Sequence, residues 1–266
     1  MKIAVCFRGI SRSVSYTIDS IRDNVLSPAR ALGDVRTFTH LFDQKTIDNP
    51  RSGEKGQLDN SAHRLLESDW LSLEPAGECL EKNNYNRLIT FGDAWSDNFS
   101  SLRNLIHELH SLKMGWIAAR QWQADAYLFL RPDLLYHQSF RPILEAISRG
   151  KKSGLCLPLW QGWGGANDRF AIATTVEAAA SYAERVDHIV NYCEITNRPL
   201  SAEEFLLYRL VKDHVPLWFT TIKASRVRFQ GELAKENYKL LRISNFPAVL
   251  HAFSTGFGAA GKGIAK

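Results

Sequence analysis

A cationic and an anionic side chain flank a proline directly after a short apolar run. Arg131 and Asp133 enclose Pro132, and residues 127–130 before them are all apolar. Such a run is typical of a buried central strand, which a proline ends. Because ligands bind at the carboxyl ends of strands in open α/β sheets, the pair could contact a phosphate together with a sugar hydroxyl or a metal ion. The alternative is an Arg–Asp pair that closes a turn.

A loop with basic and small residues follows the first predicted strand. Arg8, Gly9 and Arg12 lie between that strand and a helical pattern over residues 17–26. A strand, a turn and a helix start in this order commonly form an anion site. The spacing matches neither GxGxxG nor the P-loop. The loop therefore fits a nucleotide diphosphate held in some other way, or an ordinary turn with two solvated arginines.

Two more candidates lie at a strand end and on a helix. Residues 35–41 alternate in polarity as strand residues do, and His40 falls near the carboxyl end of that run. The longest helical pattern spans residues 99–123 and carries Lys113 near its middle. A lone lysine in such a place is usually solvated, so a binding role for Lys113 is the less common outcome.

Residues 160–168 form a loop of unusual composition, with two tryptophans, three glycines and an Asn–Asp pair. Glycine lets a backbone approach a ligand closely. The flat face of a tryptophan such as Trp163 can stack on a sugar ring. This composition favours a binding loop over a plain connector.

Two adjacent carboxylates open a helical pattern that starts after Ser201. Ser201 and Glu204 have the spacing of a capping box, which predicts a structural role for Glu204. Glu203 has no such role, and its spacing from Leu206 and Leu210 places it on the side of the helix that packs on the domain. A carboxylate there is costly unless it has a task or a partner. The alternative is that Glu203 only stabilises the helix start.

The remaining pattern alternates short strands with helices, which favours an α/β fold. Strands are predicted at residues 2–7, 35–41, 88–91, 127–130, 154–158 and 170–174. Helices are predicted at residues 17–26, 62–73, 99–123, 140–149 and 177–191, and from residue 201 onward. Residues 49–60 are polar and rich in turn formers, which predicts a mobile surface loop.

The composition is typical of a soluble globular protein. The chain has 266 residues, of which 45% are hydrophobic and 23% charged. Because no long linker interrupts the pattern, we predict a single domain over residues 1–266, in which the segment from about residue 223 is basic and glycine-rich. The net charge of +5 favours anionic partners.

The cysteines and the apolar segments indicate a compartment. Cys6, Cys79, Cys156 and Cys193 form no CxxC pair, which indicates reduced, buried thiols that make neither a zinc site nor a disulfide framework. The N-terminus lacks the pattern of a signal peptide, and no run approaches the ~18–20 apolar residues of a transmembrane helix. We expect a cytoplasmic protein that can contact a membrane peripherally.

Taken in order, these motifs resemble those of GT-A fold nucleotide-sugar glycosyltransferases. The chain looks most like the bacterial and viral surface-polysaccharide enzymes that carry R-P-D in place of D-x-D. The similarity covers roughly residues 1–215 and rests on the order of several weak motifs. The matching segments are residues 7–9, 40–43, 109–113, 125–136, 167–172 and 203–204.

The resemblance implies a fold, a reaction and a set of site residues. The fold would be Rossmann-like, a three-layer α/β/α sandwich with a mixed, mostly parallel sheet. The reaction would move a sugar from a nucleotide-diphosphate donor to a glycan or lipid-linked acceptor in surface polysaccharide synthesis, with inversion at the sugar. Donor-binding residues would be Phe7, Arg8, Gly9, Arg12, His40, Lys113, Arg131 and Asp133. Acceptor-binding residues would be Trp163, Gly164, Gly165 and Asn167. The catalytic base would be Glu203, Glu204 or Asp168.

The resemblance also bears on metal ions. Asp133 and His251 would correspond to metal ligands, so Mn²⁺ or Mg²⁺ is the candidate cofactor. Arg131, however, replaces one carboxylate of the usual motif and could itself neutralise a diphosphate. We therefore expect weak or absent dependence on either ion.

Two other functions stay open. A sugar nucleotidyltransferase would have a similar sheet, but the loop after its first strand is normally richer in glycine. A non-enzymatic nucleic-acid-binding protein would suit the charge, but the basic residues are scattered except in the last fifth of the chain. We therefore expect no nucleic-acid partner.

Overall fold

Strands and helices alternate along the part of the chain that the computed structural model describes, residues 1–49 and 52–239. The strands are β1 (Lys2–Gly9), β2 (Asp34–Phe42), β3 (Thr46–Asn49), β4 (Glu54–Gln57), β5 (Trp70–Glu74), β6 (Ala126–Leu130), β7 (Leu134–Tyr136), β8 (Leu155–Pro158), β9 (Ala171–Ala173), β10 (Leu217–Thr220) and β11 (Ala224–Arg226). The α-helices are α1 (Val14–Ile21), α2 (Ser27–Arg30), α3 (Cys79–Lys82), α4 (Tyr85–Leu88), α5 (Ser100–Arg120), α6 (Arg141–Ser148), α7 (Val176–Ala183), α8 (Ile189–Thr196) and α9 (Ala202–Lys212). A π-helical turn spans Arg22–Leu26, and 3₁₀ turns span Ala62–Leu66, Ile89–Phe91 and Arg185–His188.

Seven strands form one mixed sheet in the order β10–β8–β9–β6–β1–β2–β5. β9 is antiparallel to both of its neighbours, and every other pair in this sheet is parallel. The other six strands therefore end at the same edge of the sheet, which we call the carboxyl edge. β9 begins at that edge because it runs the opposite way. Two small ribbons, β7–β11 and β3–β4, lie outside the sheet.

Helices cover both faces of the sheet, which explains why its central strands are apolar throughout. Ile3, Val5 and Phe7 of β1 belong to a core formed with α1 and α6. Ala4 and Cys6 of the same strand belong to a second core formed with α5, α7 and α9. Each fully buried large apolar side chain contributes about 1.5–3 kcal/mol. The predicted three-layer α/β/α sandwich with a mixed, mostly parallel sheet is confirmed.

Most predicted elements are confirmed, and three are wrong. The predicted strand at residues 88–91 is the end of α4 and a 3₁₀ turn, because a short apolar run cannot distinguish strand from helix. The predicted helix at residues 62–73 is a 3₁₀ turn followed by the edge strand β5, whose Leu71 and Leu73 are exposed. The predicted loop at residues 49–60 contains β4, which pairs with β3.

Two further features of the chain bear on its environment. All four cysteines are buried and free, as the sequence predicted. Among the described residues, no helix combines the length and the apolar character needed to cross a membrane.

Candidate functional site

The carboxyl edge collects most of the predicted site residues. Arg8 lies near the end of β1, and Arg131 directly follows β6, which is the neighbour of β1 in the sheet. His40 lies near the end of β2 on the other side of β1. Asp168 lies just before β9, which starts at this edge. The strand directions thus place in one region residues that are far apart in sequence.

Arg8 is the most buried of these charges, with 1% of the residue exposed. Its Nε and Nη2 donate to Oε1 of Glu108 over 3.3 and 3.1 Å. Nη2 also donates to the backbone oxygen of Asp168 (2.6 Å) and to the hydroxyl of Tyr182 (3.2 Å). Nη1 is buried and has no hydrogen-bond partner within the described chain. A buried donor without a partner is costly, so this nitrogen keeps a hydrogen-bonding capacity that no described residue uses.

Asp133 lies between two arginines and is 4% exposed. Oδ1 accepts a hydrogen bond from Nε of Arg131 (2.9 Å), and Oδ2 accepts from Nη2 of Arg131 (2.8 Å) and from Nη2 of Arg12 (2.5 Å). Burial acts to raise the pKa of Asp133, but Arg131 and Arg12 outweigh it and lower that pKa strongly. These contacts match the alternative of an Arg–Asp pair that holds a turn. A role for Asp133 in binding the donor or a metal stays a prediction.

Glu108 of α5 connects the two sides of this network, and the sequence analysis missed it. Oε1 pairs with Arg8, and Oε2 accepts from Nη1 of Arg131 over 2.8 Å. Burial acts to raise the pKa of Glu108, but Arg131 and Arg8 lower it overall. The sequence did contain a signal, because Glu108 stands at helical spacing among Leu105 and Leu112 of the buried stripe.

Glu203 is the carboxylate best suited to accept a proton. It lies in the first turn of α9 and is partly buried. Burial, and next the neighbouring charge of Asp168, raise the pKa of Glu203 to about 7. Arg169 acts to lower the pKa of Glu203 and Glu108 acts to raise it, so Glu203 is electrostatically coupled to residues around Arg8. A carboxyl group that titrates near neutral pH has the property expected of a general base.

The predicted capping box at Ser201 is wrong. Ser201 occupies the N-cap position of α9, but its side chain makes no capping hydrogen bond. Glu204 instead pairs with the exposed Arg198, at 3.4 Å between Oε2 and Nη1. Extended backbone at Ser201 is typical of an N-cap, so the spacing located the helix start correctly and misassigned only the side-chain contact.

The glycine-rich loop packs directly on the start of α9. A Cβ on Gly165 would lie 2.0 Å from the backbone oxygen of Glu203, and one on Gly164 would lie 3.3 Å from Oε1 of Glu204. The backbone N–H of Ala166 donates to that same oxygen of Glu203 (3.0 Å). Glycine at position 165 is therefore required for this approach, which fixes the position of Glu203.

The other loop candidates differ in what they can contact. Asn167 is 2% exposed, its Nδ2 donates to the backbone oxygen of Trp160, and its Oδ1 accepts from the backbone N–H of Arg169 (2.8 Å). The side chain of Asn167 therefore stabilises the loop by bonding to backbone atoms at both of its ends. Trp163 is 60% exposed, so its indole face is available to a ligand.

The remaining predicted donor residues have distinct surroundings. Phe7 is fully buried in the core, and Lys113 donates to both carboxylate oxygens of Asp187 (2.6 and 2.7 Å). Gly9 has a φ of +105°, a region that favours glycine, and its N–H donates to Oγ of Ser111 (2.9 Å). His251 lies outside the described residues.

A second ring of charges ties residues 223–239 to this edge. Glu54 is 4% exposed and pairs with Arg12 and Arg228. Glu236 pairs with Arg226 over 2.8 Å. Beside Arg12 lies a cavity of about 270 Å³. Its lining includes Arg12, Tyr16, Gln57, Asp59 and Phe229.

Three side chains at the ends of β2, β5 and α5 could hold a metal ion. His40, Glu74 and His110 each offer one ligand atom, and these atoms lie within 4.8 Å of one another. They form the single such group among residues 1–49 and 52–239. Of the three, only His40 was among the predicted site residues. The resemblance implied metal ligands at Asp133 and His251 instead, with weak or absent dependence on the ion.

Comparisons with known proteins find similarity in structure only. No family model and no curated protein matches the sequence. One similar structure is mouse xyloside xylosyltransferase 1 (TM-score 0.40, 10% identity, 98% of this chain and 95% of that chain). A second is core-mannan synthase A from Aspergillus fumigatus in its Mn/GDP form (TM-score 0.48, 8% identity, 96% of this chain and 84% of that chain). A third is galactosyltransferase LgtC with donor and acceptor sugar analogues (TM-score 0.42, 10% identity, 82% of this chain and 73% of that chain).

We expect Asp133→Asn to lower the free energy of unfolding by about 3–5 kcal/mol, because two buried guanidinium groups lose their counter-charge. Asp48→Asn is the matched control, since Asp48 pairs with Lys55 at the surface (3.2 Å). An exposed pair contributes at most about 1 kcal/mol. Urea unfolding measures both changes. Equally small losses would show that Asp133 is not needed to hold the arginines and would favour a role in ligand binding.

Proposed function

We propose that this protein is a GT-A type glycosyltransferase that moves a sugar from a nucleotide-diphosphate donor to an acceptor hydroxyl. One observation carries the proposal. Burial, together with the charges of Asp168 and Glu108, raises the pKa of Glu203 to about 7. Both Asp168 and Glu108 contact Arg8, whose Nη1 has no partner among the described residues. A base and a fixed cation at one sheet edge are the two groups that such a transfer needs.

The donor side of the proposed site is cationic. Arg8, Arg12 and Arg131 lie around the ends of β1 and β6, and Nη1 of Arg8 and Nε of Arg12 are buried without hydrogen-bond partners in the described chain. Guanidinium groups match the geometry of phosphate oxygens and stay charged at every physiological pH. We assign the diphosphate to these nitrogens and the nucleoside to the cavity beside Arg12.

The acceptor side is formed by the glycine-rich loop and the start of α9. We assign the acceptor sugar to the exposed face of Trp163 and its hydroxyl to Glu203. In the reaction, Glu203 removes the hydroxyl proton as the acceptor oxygen bonds to the anomeric carbon. The bond from that carbon to the diphosphate breaks, and its electron pair stays on the leaving phosphate oxygen beside the arginines. Attack from the face opposite the leaving group gives inversion.

The arginines also support a reaction that does not require Mn²⁺ or Mg²⁺. Both oxygens of Asp133 already accept hydrogen bonds from Arg131 or Arg12, so this carboxylate is poorly placed to bind a divalent ion. We propose that guanidinium groups take the role that a divalent ion has in enzymes with D-x-D. Positive charge close to the leaving diphosphate is the shared requirement.

We further propose a lipid-linked acceptor presented at an anionic membrane surface, as part of surface polysaccharide synthesis. Lys223, Lys235 and Lys239 are exposed, whereas Arg226 and Arg228 are held in ion pairs within the protein. Exposed lysines near the site could contact acidic headgroups or the diphosphate of a lipid carrier.

Thermal unfolding against a panel of nucleoside diphosphates and nucleotide sugars tests the donor site. A ligand at 100 times its Kd stabilises the folded protein by about 2.7 kcal/mol. We therefore expect at least one nucleotide or nucleotide sugar to raise the Tm, both with and without Mn²⁺. In the Arg12→Gln variant the ligand should no longer raise the Tm above that of the same variant without ligand, because Arg12 borders the cavity. The control Arg141→Gln, on the surface of α6, should keep it.

The same panel separates the rival functions. A response to nucleoside triphosphates and sugar phosphates, with none to nucleotide sugars, would favour a sugar nucleotidyltransferase. No response to any nucleotide, together with salt-sensitive binding of nucleic acid, would contradict the transferase and favour the nucleic-acid-binding protein.

We expect Glu203→Gln to lower the rate constant of transfer by roughly 10²-fold or more, the range for loss of a general base, with little change in donor affinity. Because the base acts in its deprotonated form, the wild-type rate should rise with pH through about 7 and then level off. Glu203→Gln should lack this rise. Rates across pH 5–9 with the best donor measure both effects.

Glu204→Gln is the control for Glu203→Gln, since Glu204 is the adjacent carboxylate and pairs with exposed Arg198. It should keep most of the wild-type rate and pH profile. The reverse pattern in the two variants would make Glu204 the base. If both variants stay active, Asp168 becomes the candidate.

Sedimentation with lipid vesicles tests the membrane contact. Each basic residue near an anionic surface contributes about 1 kcal/mol, so replacing Lys223, Lys235 and Lys239 with Gln should weaken binding to vesicles that contain acidic lipid. The control replaces the exposed lysines 55, 82 and 151. Equal partitioning onto acidic and neutral vesicles by the wild-type protein would contradict this part of the proposal.

A further inference from the structure

His40, Glu74 and His110 meet at one carboxylate oxygen. Nε2 of His40 and Nε2 of His110 each lie 3.0 Å from Oε2 of Glu74. The three residues come from β2, from its neighbour β5 and from α5. His40 is fully buried, and the other two are partly buried. These residues are separate from the arginine network that the proposed transfer uses.

The hydrogen bonds of Ser111 determine which nitrogen of His40 carries a proton. Oγ of Ser111 lies 2.6 Å from the backbone oxygen of His40, a contact in which the hydroxyl must donate its one hydrogen. The same Oγ accepts from the N–H of Gly9 (2.9 Å), so it can only accept from Nδ1 of His40 (3.1 Å). A neutral His40 is therefore protonated on Nδ1 and presents the lone pair of Nε2 to Glu74.

The contact between His40 and Glu74 consequently lacks a positive charge. A lone pair on nitrogen faces a carboxylate oxygen at 3.0 Å, and the two repel unless a cation lies between them. An unsatisfied buried nitrogen of this kind indicates a missing ligand.

His110 differs from His40 in this respect. The amide of Asn83 donates from Nδ2 to the backbone oxygen of Cys79 (2.7 Å), which fixes its orientation, and the same nitrogen faces Nδ1 of His110 (3.3 Å). Nδ1 of His110 is then the acceptor, and Nε2 carries the proton that Glu74 accepts. Oε2 of Glu74 therefore accepts a hydrogen bond from His110 and faces the lone pair of His40.

We propose that His40, Glu74 and His110 bind a zinc-like divalent metal ion, with water in the fourth position. Two imidazole nitrogens and one carboxylate oxygen are ligands that zinc accepts. Bond lengths of about 2.0–2.2 Å place neighbouring ligand atoms of a tetrahedral ion about 3.3–3.5 Å apart. Opening the two 3.0 Å contacts by a few tenths of an ångström reaches that spacing between Glu74 and each histidine. The two Nε2 atoms lie within 4.8 Å of each other and would adjust to the same spacing.

Binding changes the hydrogen bonds of one ligand. His110 must carry its proton on Nδ1 rather than Nε2. Asn83 must give up its bond to the backbone oxygen of Cys79 and turn its amide so that its oxygen accepts from Nδ1 of His110. His40 needs no change, because Ser111 already holds its proton on Nδ1. Partners that orient metal-binding histidines in this way are common around metal sites.

The ion would stabilise the region around Gly9. It would join β2, β5 and α5, and Ser111 next to His110 already links His40 to the N–H of Gly9 at the end of β1. The inference depends on these contacts and not on the proposed transferase reaction, so either can fail without the other.

Zinc binding by tag-free protein tests the inference. After treatment with a chelator and equilibrium dialysis against Zn²⁺, we expect one zinc per chain by elemental analysis, and a higher Tm than for the zinc-free protein. His110→Asn and Glu74→Gln should each weaken zinc binding at least tenfold by isothermal titration calorimetry. Circular dichroism of each variant verifies that it is folded.

His107→Asn is the matched control. His107 lies on the same helix, and its Nε2 contacts the backbone oxygen of Ala76 (3.2 Å) rather than Glu74. It should bind zinc as the wild type does. Three results would overturn the inference: no zinc bound by the wild type, zinc bound equally by folded His110→Asn, or nitrogen NMR showing both ring nitrogens of His40 protonated in Zn²⁺-equilibrated protein.

Discussion

Charges that are buried together determine the shape of the carboxyl edge. Arg8, Glu108, Arg131, Asp133 and Arg12 come from β1, from α5, from the turn after β6 and from the loop before α1, and they pair in that order. Removing one ion from water costs several kcal/mol, so none of them is stable in the interior without its neighbours. The contacts therefore have to form together, and the strand ends and α5 are held in one arrangement.

This network is also unbalanced, which connects its structure to the proposed chemistry. Three arginines and two carboxylates leave one positive charge in excess. Glu54 adds a negative charge on one side, but Arg228 accompanies it. An anion that enters this edge meets donors already fixed in position, and fixed donors need little reorganisation as charge develops on a leaving group.

The sequence predicted the sheet and its edge better than the contacts made there. Apolar runs identify buried strands, and a proline or glycine after a run marks where it ends, so Arg8 and Arg131 could be placed at one edge. Glu108 and Glu74 could not, because Glu108 lies within the pattern of a long helix and Glu74 directly follows the helix predicted at residues 62–73. Ion pairs between distant segments depend on how the strands are ordered, and local periodicity carries no information on that order.

The direction of β9 has a consequence for how this fold can diversify. Because β9 is reversed, the connection from β8 to β9 leaves the carboxyl edge and returns to it, so its tip can change in length without disturbing strand register. Gly165, near the middle of that connection, packs on the start of α9, while Trp163 two residues earlier stays exposed. If Trp163 contacts the acceptor as proposed, variation around it would alter the acceptor sugar and leave the charged network unchanged. Selection on the acceptor could then act separately from selection on the proposed donor side.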